Sequence, residues 1–570
     1  MDNLGNIRFI LIVAFATLIF MLWQAWQLDY GPKPELPALV ETNPKEDLPA
    51  TSPMQEQQMT KAEPASTMPI TDAVAASTKL IHVKTDVLAL DIDLVGGTIR
   101  NLDLLAYPVE KENTVVNKLR DMLGLQVSEK NLAPIRLFNA NAERLFVAES
   151  GLIADSNSVP AANHHSVFSS ENTEYSLAEG QDSLTIPLSW TDDNGLKVTK
   201  TFTLKRGSYL IGEDQSIQNH TGKNWTGRQY AQLLRVPPPE ENNNTFIRTY
   251  TGGVVYTQQE KYQKISFDDM AKENLDVVSK QGWSAMIQHY FAAAWIPPVD
   301  DETHFYSKEL KDFRYVIGSY SPQINIANES ESHFTSQLFA GPKIQPMMAS
   351  IAQGLELTVD YSWLTFIAKY IYLLLNQIHN LVDNWALAII GVTLVIKLLF
   401  FKLSQASYQS MAKMRKIQPK LKELQERYKE DRQRFNQEMM AMYKREKVNP
   451  LGGCLPMLVQ IPVFISLYWV LIETVELRQA PFMLWIQDLS AQDPFYILPI
   501  LYGITMKIQQ GLNPAPLDPV QAKVTKMFPI VFTVFFLFFP SGLVLYWIVN
   551  NTLSIVQQWY ITKKIAESTS

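Results

Sequence analysis

The chain has 570 residues, 46% of them apolar and 11% aromatic, which suits two or three domains with packed cores and excludes a wholly disordered protein. Its net charge of −7 hides two parts of opposite sign: residues 1–383 hold 30 Lys and Arg against 45 Asp and Glu (net −15), and residues 384–570 hold 20 against 12 (net +8). The single cysteine, Cys454, excludes an intramolecular disulfide, and no CxxC, HExxH, Walker or GxSxG pattern occurs. His164 and His165 in "ANHHS" lack partners at metal spacing, so no catalytic site, metal or cofactor is expected.

In chain order, residues 9–23, "FILIVAFATLIFMLW", form an apolar run preceded by Arg8 and followed by the bulky "WQAWQLDY". Without a small-residue cleavage site it reads as an uncleaved anchor, residues 1–28, rather than a signal peptide. Acids beyond it (Asp29, Glu35, Glu41) favour a cytoplasmic N-terminus. Residues 29–80, with eight prolines among Glu, Gln, Thr and Ser, read as a flexible linker.

Residues 81–357 read as β-sandwich with C-terminal helices. In "VLALDIDLVGG", Leu88, Leu90, Ile92 and Leu94 alternate with Ala89, Asp91 and Asp93 and stop at Gly96 and Gly97, and two strand-like runs flank Asp193, Asn194 and Gly195, a hairpin signal. Helical exceptions are expected at "GWSAMIQHYFAAAW" and "QPMMASIAQGLEL". A sandwich of this size suits docking, sugar binding or an enzyme; no carboxylate pair stands out.

Residues 358–383 repeat apolar side chains at steps of three and four (Trp363, Phe366, Ile367, Tyr370, Ile371, Leu374, Ile378, Leu381), which predicts an amphipathic helix lying in a membrane interface. Residues 384–562 then read as a core of five spans, at 385–403, 451–472, 495–508, 527–539 and 541–561. The loop 405–449 carries 12 Lys and Arg against 6 acids, whereas 476–494 carries one Arg against three acids. The first is therefore predicted cytoplasmic and the second external, with the β domain outside and both termini inside, the C-terminal one a short tail, 563–570. Met411, Met414, Ile417, Leu421, Leu424 and Tyr428 mark a seam that "KEDRQ" breaks and Phe435, Met439, Met442 and Tyr443 resume, predicting a helical hairpin with arms of about 20 residues.

Lys397, inside "AIIGVTLVIKLLFFKL", is the charge to explain, because a lysine at the centre of a span costs about 2.5–3.5 kcal/mol on insertion scales. Snorkelling to the interface would suffice for its own helix. Thr393 and Lys397 share a face at i and i+4, and Trp547, Asn550 or Asn551, Ser554 and Gln558 form a second polar stripe on the last span, with Gln460 on a third. Ser554 and Lys397 come out at similar depths, about 20 and 18 Å below the outer surface. The expectation is a basic hollow open to the cytoplasm, or else interhelical hydrogen-bond glue. A small-solute transporter or channel is the competing class, although no internal repeat marks it. A carbohydrate-active enzyme on a membrane stalk is a third.

The blocks "MAKMRKIQPKLKELQERYKEDRQRFNQEMMAMYKREKVNPLGGCLPMLVQIPVF", "VELRQAPFMLWIQDLSAQDPFYILPIL" and "FFPSGLVLYWIVNNTLSIVQQ" closely resemble the YidC membrane protein insertase family of Gram-negative bacteria. The resemblance implies six transmembrane helices with a five-helix insertase core, an inserted periplasmic antiparallel β-supersandwich and a cytoplasmic helical hairpin, in the inner membrane. It also implies a non-enzymatic insertase and chaperone, acting alone or with the Sec translocon. Its implied partners are nascent membrane proteins, Sec components, the ribosome through the hairpin, and membrane lipid. The substrate groove carried over comprises Lys397, where many relatives have Arg, together with Thr393, Gln460, Tyr546 and Trp547; Asn550 and Ser554 join it from the polar stripe.

Overall fold

The structure, a computed structural model, describes residues 79–111, 131–239, 249–446, 455–513 and 519–567 and the single positions 117 and 122. The expected anchor, the linker up to residue 78, Cys454 and residues 568–570 lie outside the described residues.

The alternating run becomes the strand Leu88–Asp93, with Leu88, Leu90 and Ile92 buried. It turns at Gly96 and Gly97, whose φ values of +78° and +63° suit glycine, and a Cβ at Gly96 would collide with the backbone of His164. Two sheets face each other. An eight-stranded sheet runs in the order Lys261–Ile265, Gly252–Thr257, Trp283–Ile287, Phe291–Ile296, Ser330–Pro342, Leu210–Asn219, Leu196–Lys205, Ser183–Thr191. The last two strands are the hairpin expected around Asp193–Gly195. An eleven-stranded sheet carries Trp225–Arg235 paired with Phe146–Ala154 at its middle. Pairing is antiparallel except between Leu80–Lys84 and Glu174–Ser176, which run parallel.

One expectation is overturned. "GWSAMIQHYFAAAW" is no helix but the hairpin Trp283–Ile287 and Phe291–Ile296, registered Ser284 to Trp295 and Ile287 to Ala292. Its strands are buried on both faces, so the polar alternation that marks a half-exposed strand is missing, and a run of alanines suited to close sheet packing reads as helix.

Between the sheets lies a polar seam. The Lys200 ammonium, fully buried, donates to the carbonyls of Gly96 (2.7 Å) and Ser150 (2.8 Å) and to Ser150 Oγ (3.0 Å). Burial pushes its pKa down while Glu213 and Glu149 oppose the shift. The Glu213 carboxylate accepts from Ser150 Oγ, Gln215 and Gln229.

The helices are α1 (Phe267–Lys272), α2 (Gln345–Ile351), α3 (Thr365–Val382), α4 (Trp385–Leu399), α5 (Phe401–Arg427), α6 (Arg432–Arg445), α7 (Leu455–Glu473), α8 (Ile497–Leu512), α9 (Pro519–Phe536) and α10 (Ser541–Glu567). Helix α3 is apolar on two sides: Ala368, Ile371, Tyr372 and Leu375 are buried as it packs on α4 and α7, while Trp363 just before it, Phe366 and Tyr370 stay exposed. Among the described residues no single helix is long and apolar enough to cross a membrane; α4 and α5 pass that test together, as a pair bent by 67°. The span expected at 385–403 therefore breaks at Phe400 instead of continuing. The hairpin arms are also unequal, 27 residues in α5 and 14 in α6, because the seam residues Ile417, Leu421 and Met442 meet beyond an initial stretch of α5 that packs on α10.

Candidate functional site

Thr393 and Lys397 occupy one face of α4, as their spacing requires. The Thr393 hydroxyl is spent inside its own helix, donating to the Ile389 carbonyl at 2.7 Å. Lys397 reaches across: its ammonium, on a residue only 8% exposed, donates to Ser554 Oγ at 2.7 Å, and that hydroxyl donates on to the Asn550 carbonyl at 2.7 Å. The Tyr408 hydroxyl, on α5, lies beside Ser554. Among the described residues no carboxylate stands at ion-pair distance from Lys397. A buried cation is thus held by neutral oxygen, with its charge uncancelled by any contact.

Tyr408 was not foreseen. The bend at Phe400 lays the first turns of α5 against α10, burying Ser404 and Ser407 as well, and Gln557 on α10 donates to the Phe401 carbonyl at 3.4 Å. Helices α4, α5 and α10 meet around the ammonium.

The stripe on α10 divides in two. Asn550 and Ser554 face α4, whereas Asn551 donates to Thr505 at 3.4 Å and Gln558 to the Leu512 carbonyl at 3.1 Å and Asn513 at 3.2 Å, both toward α8. A step of one residue turns a helix by about 100°, enough to send neighbours to different partners. Tyr546 and Trp547 join an aromatic cluster with Phe464 of α7, whose ring centroid lies 6.1 and 4.6 Å from theirs. Among the described residues the buried Trp547 indole N–H has no hydrogen-bond partner. Gln460, half-buried, lies one turn before Phe464 on the same face of α7.

The starts of α8 and α10 are fixed by a carboxylate and by backbone bonds that sequence reasoning passed over. Asp493 accepts from the backbone N–H groups of Phe495 and Leu498 and from the Trp485 indole, fixing the start of α8. The start of α10 is held by hydrogen bonds from Ser541 to Ala491 (2.7 Å) and from Gly542 to Leu489 (2.9 Å). Among the described residues no group of three or more His, Cys, Asp or Glu could hold a metal ion.

Residues 80–374 match the family described as YidC periplasmic domain, and residues 377–568 the family described as 60Kd inner membrane protein. The class is thereby defined: an inner-membrane protein carrying a β-rich periplasmic domain. The chain is 54% identical over 570 residues to the membrane protein insertase YidC of Methylococcus capsulatus, covering all of both chains, and 48% identical over 564 residues to that of Nitrosococcus oceani, covering 99% of each. A crystal structure of an active YidC insertase with its first transmembrane domain resolved is similar at 17% identity and a TM-score of 0.39, over 85% of this chain and 93% of that one. The chain belongs to the YidC membrane protein insertase family.

Proposed function

We infer that this protein inserts hydrophobic segments of nascent proteins into the inner membrane, and that the Lys397 cluster receives the polar stretch that must follow them across. The observation that carries the second part is the buried ammonium bonded to Ser554 with no carboxylate against it among the described residues. Such a charge attracts acidic or strongly polar chain, and in surroundings of low dielectric the attraction is stronger than in water. A polar foothold partway through the bilayer lowers the cost of moving hydrophilic residues through hydrocarbon. Apolar client segments would leave along the aromatic side formed by Phe464, Tyr546 and Trp547, where the unpaired indole N–H of Trp547 offers a donor.

In this reading the chain spans the membrane six times with both termini cytoplasmic, α3 lies in the outer interface, and the basic hairpin of α5 and α6 faces the ribosome. Sec components meet the periplasmic domain. The Lys and Arg excess of residues 405–449 supports the orientation, and the exposed Trp363, Phe366 and Tyr370 support contact of α3 with lipid. Depletion of the protein from cells should leave single-span and double-span clients uninserted, as read by protease protection; normal insertion in depleted cells overturns the reading. Photocrosslinkers at Gln460 and Trp547 should capture a stalled nascent membrane protein.

A further inference from the structure

Glu473, the last residue of α7, is a buried carboxylate at the end of a largely apolar helix. Its partner comes from the β domain: Lys343, just past the strand Ser330–Pro342, places its ammonium 3.2 Å from Glu473 Oε2 and 3.2 Å from the Thr358 carbonyl, with both side chains 6% exposed or less. The end of α7 and the segment after it are gripped from three further directions. His289, in the turn of the alanine-rich hairpin, bonds the Ile472 carbonyl at 3.0 Å; Tyr372 of α3 donates to Glu476 at 2.9 Å; Arg478 donates to the carbonyls of Pro108 (2.7 Å) and Val109 (3.0 Å).

A buried ion pair is rarely more stabilising than two apolar side chains of the same volume, because desolvation offsets the attraction. What it supplies is geometry, since each charge is compensated only while the strand end and the helix end keep this separation. Helix α7 carries that constraint inward. Gln460 lies thirteen residues, about 20 Å, from Glu473 along the same helix, and Phe464 lies between them against Trp547.

We propose that Lys343 and Glu473 are positioning residues, through which the periplasmic domain sets the depth and rotation of α7 and hence the placement of Gln460 and Phe464 opposite α10. That placement matters for clients on the reading of the aromatic side given above. The β domain is then a brace for one wall of the client path.

The test uses the full-length chain in lipid nanodiscs, with Cys454→Ser as background and nitroxides on cysteines replacing the exposed Ile461 of α7 and Val556 of α10. Lys343→Met should shift or broaden the distance distribution between the labels and slow client insertion roughly three- to tenfold, the effect of a modest coupling between sites. The exchanged pair Lys343→Glu with Glu473→Lys should recover both. Unchanged distances in Lys343→Met overturn the proposal, and so does slowed insertion that tracks lost thermal stability at native distances. Should Lys343→Met fail to fold, Lys343→Met with Glu473→Met removes the charges together. Native distances in that double variant overturn the proposal, and displaced ones support it. The distances are read without any client, so they separate this proposal from the insertion reading itself.

Discussion

At the level of single residues, Lys397 and its surroundings divide into what spacing reveals and what contact decides. The lysine, Thr393 and Ser554 were legible because a charge in an apolar run and polar residues at helical spacing are sequence patterns. Tyr408 was not, since it becomes a neighbour only through the bend at Phe400, and neither Gly nor Pro marks that break. The choice between Asn550 and Asn551 was equally invisible, because it depends on the rotation of α10 against α8. Lys397→Glu should impair clients with acidic translocated tails far more than Lys397→Arg, measured by insertion of a tail-charge series; equal behaviour would reduce Lys397 to a snorkelling side chain.

His289 makes a pH prediction at the same scale. Burial, assisted by Lys343 and Arg478, pushes its imidazole from 6.5 down to about 4, against a weaker opposing effect of the Ile472 carbonyl. The ring is therefore neutral in the folded protein at neutral pH, while the unfolded chain takes up a proton below about 6.5. Its contribution to stability is complete above that pH and declines as the pH falls toward 4, by about 3 kcal/mol in all. Melting curves between pH 7.5 and 4 should fall more steeply for the wild type than for His289→Gln.

Among the elements, half-buried strands were readable and doubly buried ones were not. Leu88–Asp93 announces itself by alternation, whereas Phe291–Ile296 lies between two strands with both faces covered and offers no polar beat. The seam between the sheets is a further property of the assembled element pair: Lys200 sits in an ordinary alternating strand, and only the opposing sheet turns it into a buried cation. Lys200→Met should destabilise the β domain by about 3–5 kcal/mol, because Glu213 and Glu149 lose the compensating charge. Denaturant unfolding followed by the fluorescence of buried Trp225, Trp283 and Trp295 reads this directly, and a loss below about 1 kcal/mol would contradict the assignment.

For the whole molecule, charge bookkeeping by loops predicts the orientation, and labelling can check it. In a Cys454→Ser background, a cysteine at Lys429 beside the hairpin turn should react with a membrane-impermeant maleimide only after the membrane is opened, and one at the exposed Ala491 should react from outside in intact spheroplasts. A β-rich domain followed by a helical part was legible from periodicity and charge. The joint between β domain and core was not, because Lys343 and Glu473 are 130 residues apart and neither belongs to a motif.

The bend at Phe400 also shapes the outline of the molecule. Helix α5 has 27 residues, about 40 Å, and leaves α4 at 67°, so its far end lies about 37 Å to one side of the α4 axis and only about 16 Å along it. The arm overhangs one flank of the helical core like an awning. A second copy or a large partner can come flush with the core only along the flanks that the arm leaves clear, so the footprint in a crowded membrane is one-sided even though the core beneath it is compact.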